Sequence, residues 1–232
     1  MKQLFSTVIL IIFSFISMAQ ESIINTDRPD HGDGVSTVPA NRFQVEEGIT
    51  LAKKTFANNL LIRYGIGNTT EARLVVDAGK YQDANGLQPI SFSMKQRLYS
   101  GKNWVPAITA VGYISLGDWA SSDFKSSENQ LVLKLSFANQ LSEKLSLGYN
   151  VGTYDFDHMN TTIGLAYALA GKISVFGEYF ASWQEHANEH NIGAGILYLI
   201  NNQLQVDAAI GSDIFDGQNN RFFSTIGVSY LF

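Results

Sequence analysis

The side chains able to do chemistry in this chain are few, and their spacing limits what they can do. With no Cys among 232 residues, thiol nucleophiles, disulfides and Cys-ligated metals are absent together. Four His remain as candidate bases: His31, His158, His186 and His190. Hydrolysis by Ser and His needs both within hydrogen-bond reach, with a third group to orient the base. His158, with Thr161 and Thr162 close by, comes nearest, but no matching Ser motif accompanies it. His186, Glu189 and His190 have helical spacing in a stretch that reads as a loop, so a solvated tip is expected there. Gly193-Ala194-Gly195 falls inside a strand pattern, where it makes backbone room and no phosphate cradle. Nothing matches a zinc or calcium motif. The expectation is a non-enzyme with no cofactor and no bound metal.

The charged residues are more informative. Only 16% of the chain is charged, against roughly 25% in an ordinary soluble protein. The net charge of -5 gives no electrostatic case for nucleic acid. Yet Glu46, Arg63, Glu71, Arg73, Asp77, Lys95 and Arg97 crowd into one stretch, and Glu178 follows later. Each falls on the less apolar side of an alternating pattern. Such a set can pair into an ionic girder, or it can form a polar constriction that selects what passes. These eight are the candidate lumen or permeant residues.

The elements that must position them alternate with period two, which is strand spacing. Leu204, Val206, Ala208 and Ile210 share one face against Gln203, Gln205, Asp207, Ala209 and Gly211. Leu131, Leu133, Leu135 and Phe137 likewise oppose Val132, Lys134 and Ser136. About twelve such segments occur, near 42–53, 57–65, 69–79, 89–99, 104–116, 128–138, 144–154, 159–170, 173–183, 190–200, 203–212 and 221–232. The segment 104–116 is apolar on both faces and cannot be oriented. Tight turns such as Gly65 to Asn68, Gly171-Lys172 and Asn201-Asn202 mostly alternate with longer polar connections, among them Tyr81 to Gln88 and Gly117 to Ser127. Short turns at one end and long loops at the other are the layout of an outer-membrane barrel, with the short turns periplasmic.

Both ends of the chain fit that layout. Lys2, the apolar run Val8 to Ile16, and Ser17-Met18-Ala19 read as a secretory signal cleaved before Gln20. After it no apolar stretch is long enough for a spanning helix. At the other end Ile226, Val228, Tyr230 and Phe232 line one face of a closing strand that stops on an aromatic residue. This resembles the signal by which barrel-insertion machinery recognises its clients. The expected fold is therefore all-β: a transmembrane antiparallel up-and-down β-barrel of about 12 strands in the bacterial outer membrane. Residues 1–19 are the signal peptide, 20–41 a periplasmic or plug-like segment, and 42–232 the barrel. Glu47 falls on the lipid side, near enough to the periplasmic end to reach the headgroups. Residues 20–41, which hold Asp27, Arg28, Asp30, His31 and Asp33, either fold against the barrel floor and pair with its charges or hang loose.

A resemblance adds to this reading. The segment ESIINTDRPDHGDGVSTVPANRFQVEEG, then LLIRYGIGNTTEARL, resembles the outer-membrane transporter family labelled for the meta-pathway of phenol degradation. The matching positions are Arg28-Pro29-Asp30, Val38-Pro39, Phe43, Glu46, Gly48, Arg63-Tyr64-Gly65, Glu71 and Arg73, and Lys95 looks like the family's inward lysine. The match is good over residues 25–100 and diffuse beyond. It implies a barrel with a transport label; phenol is a family name and no demonstrated substrate.

Inward Phe176, Phe180, Leu197 and Leu199 suit a small hydrophobic or aromatic permeant better than an open aqueous pore. The function expected is a narrow channel or transporter for such molecules. Its partners are outer-membrane lipids and the insertion machinery, with no nucleic acid. The alternatives are a structural or adhesive barrel and an outer-membrane lipid hydrolase.

Overall fold

The computed structural model describes residues 23–185, 188–214 and 222–232. The expected signal segment and His186 lie outside them. Every regular element described is a strand: β1 (Phe43–Ala52), β2 (Thr55–Gly65), β3 (Thr70–Tyr81), β4 (Ala84–Leu87), β5 (Ile90–Lys102), β6 (Val105–Leu116), β7 (Gln130–Gln140), β8 (Leu145–Tyr154), β9 (His158–Ala170), β10 (Ile173–Trp183), β11 (Glu189–Asn201), β12 (Leu204–Asp213) and β13 (Phe222–Leu231). Twelve of these form the wall, each antiparallel to its sequence neighbours, and β4 is a four-residue addition to the outer end of β3. The wall closes where β1 bonds to β13 on one side and β2 on the other, with Gln44 opposite Leu231 and Ala52 opposite Phe223. A sheet without edges leaves no unpaired backbone row, which is what a spanning structure in hydrocarbon requires.

The packing is inverted relative to a soluble protein. Arg63, Lys95, Gln44, Glu46 and Glu71 are among the largest fully buried side chains. Ile210, Ile226 and Leu98 are 66%, 62% and 59% exposed. Water would punish that distribution, whereas a hydrocarbon surround rewards it. Aromatic pairs mark the two rims of the apolar band. Phe43 meets Tyr64 and Tyr230 meets Phe232 at the periplasmic end, while Phe92 meets Trp119 at the outer end.

Local chemistry sets the turns. Lys54 takes positive φ in the two-residue turn between β1 and β2. The Asn201 side chain accepts the amides of Gln203 and Leu204, which reverses the chain into β12. Three details differ from the sequence reading. The Tyr81 to Gln88 connection is no plain loop, because Ala84–Leu87 folds back on β3 as β4. Strand β5 runs on through Gly101, so the chain turns at Asn103, whose φ is 54°. Strand β6 now has faces: Thr109 and Val111 are buried inward, Tyr113 bonds inside, and Ile114 lies outward at 43% exposure.

Candidate functional site: a charged lumen threaded by the N-terminal segment

Residues 23–41 run inside the barrel near its periplasmic end. Ile24 begins the path, its amide on the Asn202 carbonyl and its side chain packed with Val38, Leu199 and Leu231. Beyond this small apolar anchor polar contacts dominate, with the His31 ring the main exception. The backbone amides of Asp27 and Arg28 each donate to Glu46 Oε2 at 3.1 Å, and Val38 N–H donates to Glu71 Oε2 at 2.6 Å. Two wall carboxylates thus hold backbone donors that no ladder satisfies.

The side-chain network has two centres, both supplied by the segment. Asp27 takes Arg73 at 2.7 Å and Lys95 at 2.9 Å, with Arg63 at 3.8 Å. Asp33 takes Arg73 at 2.8 Å, Lys134 at 2.6 Å and the Tyr113 hydroxyl at 2.5 Å. Arg63 completes the lattice through Glu46 at 2.7 Å and Glu71 at 2.9 Å. Four wall cations therefore face two wall carboxylates, and Asp27 and Asp33 supply the missing two negative charges. Without the segment the wall would bury uncompensated positive charge, which is costly in a low dielectric. Burial alone would raise the Asp27 carboxyl, but Arg63, Lys95 and Arg73 outweigh it and hold it below the usual aspartate range. Burial is likewise overcome at Asp33, where Lys134, Arg73 and Lys95 hold the carboxyl well below that range.

Further along, Asn150 clamps the Asp33 backbone, accepting its N–H at 2.8 Å and donating to its carbonyl at 3.1 Å. Arg28 reaches the closing seam, donating to Thr225 at 2.8 Å and Asp207 at 3.3 Å. The His31 amide donates to Glu178 at 3.0 Å, and its ring stacks on Phe180 with centroids 3.8 Å apart.

The lumen is not filled, and one of its spaces lies beside the segment. This one, of about 160 Å³, lies between Asp30 to Val35 and the β7–β10 wall, where Ser146, Gly148, Thr162, Gly164, Phe176 and Glu178 line it. The other, of about 350 Å³, lies toward the outer mouth and is lined by Asp77, Ser91, Tyr113, Gln130, Lys134 and Tyr154. Asp30 opens onto lumen water but is enclosed by the wall. That enclosure, and then the nearby Glu178 carboxylate, push its carboxyl well above the usual range.

Residues 26–232 match the family model described as "Putative MetA-pathway of phenol degradation". The chain belongs to that family. No curated protein sequence matches it significantly. Among solved structures it resembles the COG4313 outer membrane channel from Pseudomonas putida F1, with a TM-score of 0.72 at 11% identity over 88% of this chain and 100% of that one. It also resembles the KdgM porin, TM-score 0.61 at 13% identity over 81% of this chain and 98% of that one. The NanC porin gives TM-score 0.61 at 9% identity over the same shares. All three share the fold: this member of the phenol-degradation family is a bacterial outer-membrane β-barrel.

Within this family member the residues expected in the lumen divide into groups. Glu46, Arg63, Glu71, Arg73 and Lys95 form one lattice. Glu178 faces the lumen but holds His31 instead of a wall cation. Asp77 lies inward and is bonded to Asn59, apart from the lattice. Arg97 departs from the expectation: beside a register shift in β5 its guanidinium turns to the Asn68 carbonyl at the periplasmic rim and joins no lumen pair. Ile226, Val228, Tyr230 and Phe232 all face outward, 37–62% exposed. Glu47 also differs. It stands midway along β1, opposite Leu60 and Val228, with its carboxyl bonded to Asn58.

Sequence reasoning left out Tyr113, Lys134, Asn150 and Asp207. Lys134 and Asp207 carried a usable signal: Lys134 is the lone charge of β7, and Asp207 is the charge at mid-length on the polar face of β12. Tyr113 carried none, because its strand is apolar on both sides.

Proposed function

We propose that this barrel is a narrow channel for small molecules, hydrophobic or aromatic in part, in which residues 23–41 form the constriction. The reading rests on how the N-terminal segment is built into the lumen. It completes the charge balance of the wall yet leaves space beside it, bounded on one side by glycine, serine and Phe176. A barrel serving only as scaffold has no use for a glycine-lined gap next to an ordered plug.

Small ions cross with a bias in this proposal. Among the described residues Asp30, Asp77 and Glu178 line the lumen without a Lys or Arg partner, while every inward cation of the lattice is paired. Cations are therefore preferred over anions. Outward Ile226, Val228, Tyr230 and Phe232 serve barrel insertion as the recognised closing strand. The test is planar-bilayer recording together with liposome uptake of phenol-sized neutral solutes. Small cation-biased conductance and uptake support the channel; no permeability in either assay overturns it and leaves a structural barrel.

A further inference from the structure

Near mid-height of the strands the charged side chains among the described residues turn to the lumen, except Glu47. Its neighbour Glu46 is fully buried inside, so alternation turns Glu47 toward lipid. It stands midway between the Phe43–Tyr64 contact at one rim and outward Phe56 at the other. Among the described residues no other carboxylate stands on the exterior at this height. An ionisable group within the hydrocarbon is costly and calls for a partner. The protein supplies only part of one: Asn58 Nδ2 donates to Glu47 Oε1. Glu47 Oε2, the second Asn58 amide hydrogen and Asn58 Oδ1 have no hydrogen-bond partner among the described residues.

Those remaining groups are complementary to themselves. All copies insert with the same end outward, so a two-fold axis between two barrels runs along the membrane normal and brings equal heights together. Glu47 Oε2 of one copy then meets Asn58 of the partner, and the reverse contact forms by symmetry. In that contact Glu47 Oε2 accepts the partner's spare amide hydrogen. A lipid offers such a matched donor and acceptor only through its headgroup, which lies a half-band away.

The surrounding wall permits close approach. Val45, Ile49, Ile62 and Val228 flank the pair with β-branched side chains, and Leu60 stands opposite Glu47. The far wall carries Leu133, Leu135, Leu165 and Tyr167 beside Val151 and Ile163. In lipid, where apolar area gives no drive to association, close backbone approach and interchain hydrogen bonds are what hold proteins together.

We propose that the β1–β2–β13 wall is the contact face of a homodimer, joined by reciprocal Glu47–Asn58 hydrogen bonds. The chain has no Cys, so single cysteines report the contact cleanly. With Ile49→Cys, oxidation in native membranes gives a disulfide-linked dimer, whereas Leu133→Cys on the far wall gives monomer. Adding Glu47→Leu and Asn58→Leu to the Ile49→Cys chain lowers the dimer yield by about ten-fold. Heat-modifiable gel mobility shows that each variant remains a closed barrel. Monomer from Ile49→Cys, equal yields from both walls, or an undiminished yield in the leucine variant would each overturn the dimer. Conductance per barrel is unchanged throughout, which separates this result from any failure of the channel proposal.

Discussion

Gly48 and Gly227 face each other across the seam where β1 meets β13, and the Arg28 guanidinium lies in the slot their missing side chains leave. A Cβ on Gly48 would stand 2.0 Å from Arg28 Cζ, and one on Gly227 would stand 2.4 Å from Arg28 Nε. Neither distance is compatible with the observed placement. The wall is therefore cut to the shape of the segment at the strand pair that closes the barrel.

Gly227→Ala consequently expels Arg28 from the seam and strands Asp207, its ion-pair partner. Overpacking of this kind costs about 1–3 kcal/mol. The urea midpoint for unfolding from detergent should fall, and small-ion conductance should rise as the segment loosens. Gly67→Ala in the turn between β2 and β3 is the control, because a Cβ there meets nothing within 4 Å.

Asp33→Asn leaves Arg73, Lys134 and Tyr113 around a group that no longer carries charge. Removing one member of a buried ion pair typically costs about 3–5 kcal/mol. The expected outcome is the largest stability loss of any single change in the segment, read by the same unfolding assay. Asp30→Asn should change stability little, since Asp30 pairs with no Lys or Arg.

Acid separates these aspartates in a second way. Asp27 and Asp33 have depressed carboxyl pKa values in the folded protein, so the stabilisation they give is complete at neutral pH and is lost only as pH falls below the ordinary aspartate range, about 3.9. Conductance should stay flat from pH 8 to about 5 and climb only in strong acid. Asp30 is shifted the other way and protonates first. The preference for cations over anions should weaken at a milder pH than the one that frees the segment, as reversal potentials in a salt gradient would report.

Glu178→Gln tests the open carboxylates directly. The His31 amide keeps an acceptor and the His31–Phe180 stack is untouched, so the segment stays docked. Cation preference should fall by about two- to five-fold with little change in total conductance.

Much of this was legible in the amino-acid order. Alternation in segments such as Leu131 to Phe137 and Leu204 to Ile210 shows strands with an apolar face, and the turn residues show where they reverse. The inward charges from Glu46 to Lys95 follow from the same parity. Three things were beyond reach for physical reasons. Asp27 and Asp33 sit in irregular backbone, where no periodicity says which way a side chain points. The direction of Arg97 depends on a local register shift in β5, and parity arguments break at such shifts. The slot for Arg28 needs Gly48 and Gly227 to be paired, a relation between strands nearly the whole chain apart.

The central claim is that the N-terminal segment is the constriction of a membrane-spanning barrel. Single-channel conductance with and without residues 20–35, each barrel first shown to be closed by heat-modifiable mobility, tests it most directly. The account predicts a severalfold rise in conductance on deletion, together with a shift of selectivity toward anions as the wall's positive charge is uncovered. Equal conductance and unchanged selectivity in the two barrels would contradict it.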